Sequence, residues 1–402
     1  NMRWTRRGML ASMAGVCGLS GCLAAPDRAL PTAPTGTWNQ SRRDAQNTAA
    51  SDVTVPERAN LAWDGGSGRM LSVVADQTVY TVDDDNGLTA FDAKTGERRW
   101  QTALDVDSEE PVSVSGAIVG TQLVVATTDT IHSFSTADGS ERWKRGLRGQ
   151  VSSISTTVIP DKQIGLIDCT YRQNYHIIAF KTESGKIKWR DSALRMGGRG
   201  LTVCGNRIFV TGYSESEGEV LRCLGLDTGK VIWQRGIVDQ DQYSTPVCST
   251  TGVLLGEGTD MIVYEHSDGA RITSVALTHG RISSIAVDDG IAYALSESGL
   301  SAVSVPEGSQ QWALSRDPTQ HFVRGPLAVG REAVVAPVYL DSLGCPSVVA
   351  FEKTDGMQRW HYTLGEEFCG TIWSQPVLAE GAVFVDTSLH TVTALGDLAP
   401  RE

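Results

Sequence analysis

The sequence predicts an all-β protein built from a repeated four-stranded antiparallel unit, and three observations lead there. The 402 residues include 42 Gly and 14 Pro, more chain-turning residues than a helical protein carries and a supply suited to many short strands. One pattern recurs in segments 88–100, 131–143, 177–189, 221–233, 300–312 and 348–360, with a variant at 261–273. Its glycines, Gly96, Gly139, Gly185, Gly229, Gly269, Gly308 and Gly356, are separated by 43, 46, 44, 40, 39 and 48 residues, the length of one propeller blade. Length alone allows two or three domains, but a continuous repeat makes one domain of residues 60–398. With 41% hydrophobic and 20% charged residues, disorder as the dominant state is excluded.

Residues 1–21 read as an export signal. Arg6 and Arg7 stand just ahead of a weakly apolar run, 8–20, too short to span a bilayer as a helix. The arrangement resembles a twin-arginine signal. Leu19-Ser20-Gly21-Cys22 follows and resembles the lipobox of exported lipoproteins, in which the Cys thiol takes the lipid and becomes the new N-terminus. No later stretch reaches the ~18 apolar residues of a spanning helix. The expectation is therefore a chain held by lipidated Cys22 at the outer face of the cytoplasmic membrane or at another envelope membrane. Residues 22–59 are a tether and lead-in, in which Pro26, Pro31 and Pro34 oppose regular structure. The net charge is −12, and the signal holds three Arg and no acid. This argues against nucleic acid as the main partner.

Within each repeat an apolar residue lies eight positions before the Gly, a small one usually six before, and an aromatic or aliphatic one five before, as in Leu88, Ala90 and Phe91. Apolar positions on both parities imply that both faces of the strand are covered, as in radially stacked sheets. The pair ending in Gly, such as Thr95-Gly96 or Asp138-Gly139, predicts a hairpin turn in which Gly supplies a positive φ. Trp follows four residues later at Trp100, Trp143, Trp189, Trp233, Trp312 and Trp360, while the 261–273 variant has Thr273. Further β-rich runs lie upstream at 77–82, 121–127, 206–212 and 381–387, with short inner-strand candidates at 244–247 and 374–377.

The eighth unit is incomplete. Residues 390–395 supply a third strand, with Ala394 where Ala90 stands, but no Trp-bearing strand follows. Asn60-Leu61-Ala62-Trp63 is an orphan segment ending in Trp. It supplies the missing outer strand and leaves no unpaired edge. The expectation is an eight-bladed β-propeller of four-stranded antiparallel blades, closed by an N-terminal strand, with 399–402 as a tail.

The pattern Ala90-x-Asp92-x-x-Thr95-Gly96-x-x-x-Trp100 resembles the tryptophan-docking repeat of pyrroloquinoline-quinone-type propellers. The resemblance implies that Trp63, Trp100, Trp143, Trp189, Trp233, Trp312 and Trp360 pack between neighbouring blades as a girdle. Trp38, Asp44, Asn47 and Thr48 resemble the segment that precedes the first blade in exported members. The family holds quinoprotein dehydrogenases, which use the quinone and a bound Ca²⁺, and non-enzymatic propellers, including the lipoprotein of the bacterial outer-membrane assembly machinery. Lipobox and minimal blades bring this chain closer to the second kind.

The resemblance implies that a dehydrogenase holds its quinone between a Trp floor and a disulfide of adjacent cysteines. No adjacent Cys pair exists here, and the Trp residues sit at the docking position. Asp83-Asp84-Asp85-Asn86-Gly87 reads as a Ca²⁺ loop or as a hairpin turn. The turn is favoured, because residue twelve from Asp83 is Lys94 rather than Glu and Asn-Gly suits a two-residue turn.

Beyond Cys22 there are Cys169, Cys204, Cys223, Cys248, Cys345 and Cys369. None forms a CxxC pair. Cys345 with Cys369 is the disulfide proposed from the repeat, and Cys223, at the small position, reads as a core thiol. His321, Arg324 and Trp373 precede inner strands, at the expected channel mouth, and are read as surface residues. No GxSxG, GxxxxGK[ST] or HExxH motif occurs, so the sequence assigns no catalytic, cofactor or metal residue.

The expected function is that of a lipid-anchored, non-catalytic protein-binding or assembly scaffold. The alternative is a quinoprotein dehydrogenase using pyrroloquinoline quinone and calcium. Glycan binding at one face of the ring has no specific residues to support it.

Overall fold

A computed structural model describes residues 28–106, 113–147, 151, 153–172, 174–195, 200–237, 243–296, 298–315, 320–322, 325–340, 345–363, 375–386 and 391–398. Among them the strands form antiparallel four-stranded units that, except for the last, run in chain order from an inner to an outer strand; the units at 153–195 and 201–236 join into one sheet at Arg195 and Tyr213, and the unit at 320–363 carries a fifth, short strand. Blade 1 is Arg69–Ala75, Thr78–Val82, Gly87–Asp92 and Arg98–Ala103. Blades 2 to 7 occupy 115–146, 153–195, 201–236, 247–276, 282–315 and 320–363. The last sheet combines Val377–Ala379, Ala382–Asp386 and Thr391–Gly396 with Asn60–Ser67 as its outer strand. That N-terminal strand pairs antiparallel with Thr391–Gly396, and Trp63 stands opposite Ala394. Among the described residues the remaining regular element is a 3-10 turn, Pro160–Lys162. No helix among the described residues is long and apolar enough to cross a membrane.

The repeat has one internal geometry. Each Trp lies directly across the ladder from the small residue of the preceding strand: Ala90 faces Trp100, Ala179 faces Trp189, Cys223 faces Trp233 and Ala350 faces Trp360. A register shift follows at once, between Ala90 and Phe91, Ala179 and Phe180, Cys223 and Leu224, and Ala350 and Phe351. Such a bulge sharpens the twist of the outer strand. The core lies between blades rather than within them. One cluster, for example, joins Leu71, Val73 and Leu88 of blade 1 to Leu123, Val125 and Phe134 of blade 2. Apolar residues on both strand parities are thereby buried.

Two inner strands begin later than the sequence suggests. The candidates at 244–247 and 374–377 become Val247–Cys248 and Val377–Ala379, because Pro246 and Pro376 lack the N–H that a ladder needs. Blade 7 carries an extra inner piece, Gln320–Phe322, beside Ala328–Val329. This piece places the backbone of His321 in the sheet.

Residues 35–54 run round one end of the ring and meet every blade in turn. Thr35 accepts a hydrogen bond from Glu380 N of blade 8 (2.8 Å), and Trp38 pairs with Val74 of blade 1. Asn39 accepts from Ile118 N of blade 2 (2.7 Å), and Gln40 Oε1 from Val158 N of blade 3 (2.6 Å). The carbonyls of Ala45, Gln46 and Thr48 then accept from Val203, Cys248 and Val287 of blades 4, 5 and 6 at 2.7, 2.9 and 2.9 Å. Ser51 N donates to Val329 O of blade 7 (2.8 Å), and Thr54 O returns to Gly381 N of blade 8 (2.9 Å). The inner edge of every blade would otherwise face the channel with unpaired backbone groups.

Candidate functional site: the plugged channel

Docking between blades is built from the Trp and Gly positions. The indole N–H groups of Trp63, Trp100, Trp143, Trp189, Trp233 and Trp312 donate to Ala93, Thr136, Thr182, Leu226, His266 and Lys353 O, at 2.8–3.1 Å. Each acceptor lies three residues before the anchor Gly of the next blade. The same indoles cover those glycines: Trp63 lies over Gly96, Trp143 over Gly185, Trp189 over Gly229, Trp233 over Gly269 and Trp312 over Gly356. At Gly139 the backbone has φ +71°, and an added Cβ would come within 2.5 Å of the Trp100 ring. Conformation and contact both demand Gly there. Thr273 stands 2.9 Å from the Cβ position of Gly308 and fills the place of the missing Trp. Trp360 donates to Pro56 O (2.7 Å), so the N-terminal segment replaces the turn that the split eighth blade lacks.

The channel end is closed by the lead-in segment, whose Trp, Asp and Asn-Thr each have a definite task. Trp38 is fully buried. Asp44 accepts from Thr48 N (3.0 Å) and from the Thr48 hydroxyl, which holds the turn. Asn47, at φ +60°, is a residue type that tolerates the left-handed region. Its Nδ2 donates to Leu201 O (2.7 Å) and Pro246 O (3.0 Å), tying blade 4 to blade 5.

Arg42 is the other hub. Its backbone N–H donates to Gln375 Oε1 (2.7 Å), and its guanidinium to Ser284 Oγ (3.2 Å), Asn47 O and Ile285 O. Burial lowers its pKa to about 10, against the opposing pull of Asp44.

Above this plug is a pocket of about 270 Å³ lined by Arg42, Asn47, Ser155, Thr157, Asp168 and Tyr175, among others. Asp168 and Tyr175 come from the second and third strands of blade 3, and both are buried. Burial pushes the Asp168 carboxyl up to about 6, while the hydroxyls of Tyr175 and Ser155 pull the other way. Burial also raises the Tyr175 phenol well above its ordinary value. Among the described residues the lining offers hydroxyls, one carboxyl, the Arg42 guanidinium and the Asn47 amide, with no imidazole, so it suits small polar solutes or water more than nucleophilic chemistry.

A carboxyl whose pKa rises on folding binds its proton more tightly in the native state. Stability is then full below about pH 4 and falls as pH rises through about 6. Asp168→Asn is expected to remove this loss, flattening the pH dependence of the urea midpoint between pH 4 and 7 by an amount on the order of 2–3 kcal/mol. An unchanged profile would show that Asp168 ionises freely.

The remaining sequence candidates are placed as follows. Asp83 Oδ1 accepts from Gly87 N (2.6 Å) and Asp85 N (3.0 Å), and Asn86 has φ +60°. Its carboxylate thus closes its own hairpin turn. Cys169 and Cys223 are buried free thiols. A disulfide that sequence reasoning missed joins Cys204 to Cys248. The signal was available: the two lie 44 residues apart, one repeat, at matching inner-strand positions. Arg6, Arg7, Cys22, Arg324, Cys369 and Trp373 lie outside the described residues, and with Cys369 goes its pairing with Cys345.

The quinone cradle of the dehydrogenases does not fit this arrangement. Among the described residues no Trp lines the channel pocket, and the disulfide joins cysteines of different blades rather than adjacent residues.

The profile of a family described as outer membrane protein assembly factor BamB matches residues 53–154, 113–253 and 216–338. The outer membrane protein assembly factor BamB of Burkholderia pseudomallei (strain K96243) is 24% identical over 319 residues, covering 73% of this chain and 78% of that protein. Among solved structures, quinohemoprotein alcohol dehydrogenase from Comamonas testosteroni has a TM-score of 0.69 at 14% identity, covering 92% of this chain and 82% of its own. BamB from Moraxella catarrhalis has a TM-score of 0.58 at 12% identity, covering 82% and 94%. At such identities structural likeness shows the β-propeller fold and leaves the dehydrogenase's activity with that protein. The matched segments take in well over half of the sequence, and the chain belongs to the family of the outer membrane protein assembly factor BamB.

Proposed function

We propose that this chain is a lipid-anchored envelope protein that serves as a non-catalytic scaffold in outer-membrane protein assembly, binding a protein partner and no quinone. The observation that carries the reading is the match of residues 53–338 to the BamB family, supported by a relative named as an outer membrane protein assembly factor. Exposed apolar side chains add support. Val231 and Ile232 on the outer strand of blade 4 and Ile272 on that of blade 5 are 45–49% exposed, beside outer edges that, among the described residues, pair with no further strand of their own blades. Apolar residues on a free strand edge suit a protein partner.

The test is capture from detergent-solubilised envelopes. One reproducible protein partner is expected with the wild type, and its yield should fall sharply with Ile232→Asp combined with Ile272→Asp. In the same cells Cys22→Ser should shift the protein from the detergent phase to the aqueous phase. Failure to recover any partner would count against the scaffold. Dye reduction by purified protein that depends on added pyrroloquinoline quinone and Ca²⁺ would replace it with the dehydrogenase.

A further inference from the structure

Two sulfurs and one imidazole meet at the junction of blades 4 and 5, in a cleft of about 540 Å³ lined also by Gln46, Asn206 and Arg207. Cys204 ends the inner strand Leu201–Cys204, and Cys248 ends Val247–Cys248. The two are bonded, with Cα atoms 5.8 Å apart. His266 comes from the turn that leads into the outer strand of blade 5, and its Nε2 lies 3.9 Å from Cys248 Sγ. The three potential ligand atoms all lie within 4.8 Å of one another.

The frame around them does not depend on the disulfide. His266 O is held by Trp233 Nε1 (3.1 Å) and by the Arg207 guanidinium, and its ring lies against Phe209, centroids 5.9 Å apart. Cys248 N is tied to Gln46 O (2.9 Å), and Asn47 clamps Leu201 O and Pro246 O. A tetrahedral zinc site with Zn–S near 2.3 Å and Zn–N near 2.0 Å has ligand-to-ligand edges of about 3.5–3.8 Å. The His266–Cys248 spacing already approaches that edge. Two freed sulfurs reach it by side-chain rotation, with their strands in place.

We propose that the reduced Cys204–Cys248 pair and His266 form a zinc site that the disulfide closes. A dithiol reductant passes two electrons and two protons to the disulfide. The S–S bond breaks, two thiols form, and the reductant becomes a disulfide. Zinc then displaces both thiol protons to solvent and bonds two thiolates and the imidazole, leaving its fourth position for water on the cleft side. The ion's charge balances the two thiolates. In the reverse step a disulfide oxidant takes two electrons from the thiolates and two protons from solvent to become two thiols, the Cys204–Cys248 bond re-forms and Zn²⁺ leaves to solvent, so occupancy reports the redox poise around this face of the ring. A structural disulfide alone has no need of an imidazole at this distance in an open cleft.

The test uses the full chain, oxidised or reduced by a phosphine under anaerobic conditions, titrated with Zn²⁺ against a chromophoric chelator and with Co²⁺ for thiolate charge-transfer absorption. The reduced protein is expected to keep its β-sheet circular dichroism, bind one equivalent and show the charge-transfer band. The oxidised protein and Cys204→Ser should do neither. His266→Ala, which leaves the disulfide intact before reduction, should weaken binding roughly tenfold or more. The proposal is overturned if the reduced protein binds no more zinc than the oxidised, if His266→Ala binds as tightly as wild type, or if reduction unfolds the ring.

Discussion

Trp63→Ala is expected to cost about 3–5 kcal/mol, the range for truncating a fully buried large aromatic side chain. Trp63 is 1% exposed. It stands across from Ala394, packs 5.9 Å from Phe384, lies over Gly96 and donates to Ala93 O. Its strand pairs with the last sheet and its ring lies over blade 1, so the cavity opens where the last blade meets the first. Trp100, which is only half-buried, offers the comparison: its Ala variant should cost clearly less. Urea unfolding of the purified domain measures both. A loss below about 1 kcal/mol for Trp63→Ala would show that the strand Asn60–Ser67 is held by its ladder alone.

Arg42→Met should be the second large effect, about 2–4 kcal/mol, because hydrogen bonds from a charged donor are strong and their buried acceptors stay behind. Met keeps most of the volume and the backbone N–H bond to Gln375, so the change isolates the guanidinium. Ser284 Oγ, Asn47 O and Ile285 O lose a donor. The opposing gain, relief from desolvating a cation whose pKa burial has lowered, keeps the cost from rising further. Limited proteolysis gives a second readout, since the variant should release residues 28–59 more readily. The loss should barely respond to salt, because the site is buried. A variant as stable as wild type would mean that Asn47 and Gln375 suffice to seat the plug.

The repeat was legible because local geometry demands the same residue types each time. A Trp needs a small residue across the ladder, a bulge beside it, and a bare Gly in the next blade to lie against. Each thirteen-residue segment carries its own Trp, the small residue and bulge that serve it, and the Gly that receives the previous blade's Trp, so Ala90, Gly96 and Trp100 declare themselves, and Thr273 opposite Gly308 shows what happens when one is relaxed. The paths of Asp168 and Tyr175 into the channel were not legible. With both strand faces apolar elsewhere, parity does not say which residue looks inward. The lead-in motif could be recognised, but its circuit could not, since most of its partners are backbone N–H and C=O groups with no sequence signature. The Cys204–Cys248 bond was hidden for a different reason: the pairing sought was local to one blade, whereas a ring brings together residues one whole repeat apart.

The circuit of residues 35–54 also sets the order in which the molecule can be made. Arg42 bonds to Gln375 across 333 positions of sequence, and Thr54 to Glu380 across 326. Most of the chain must therefore exist before Arg42 and Thr54 find these partners. Contacts of such span are reached only after the loop-closure entropy has been met, which makes assembly slow. While synthesis proceeds, the early blades present unsatisfied inner edges, and the segment destined to cover them waits without its later partners. Pairing of Asn60–Ser67 with Thr391–Gly396 must wait for the last sheet, so a chain released before that sheet is complete has no partner for this strand.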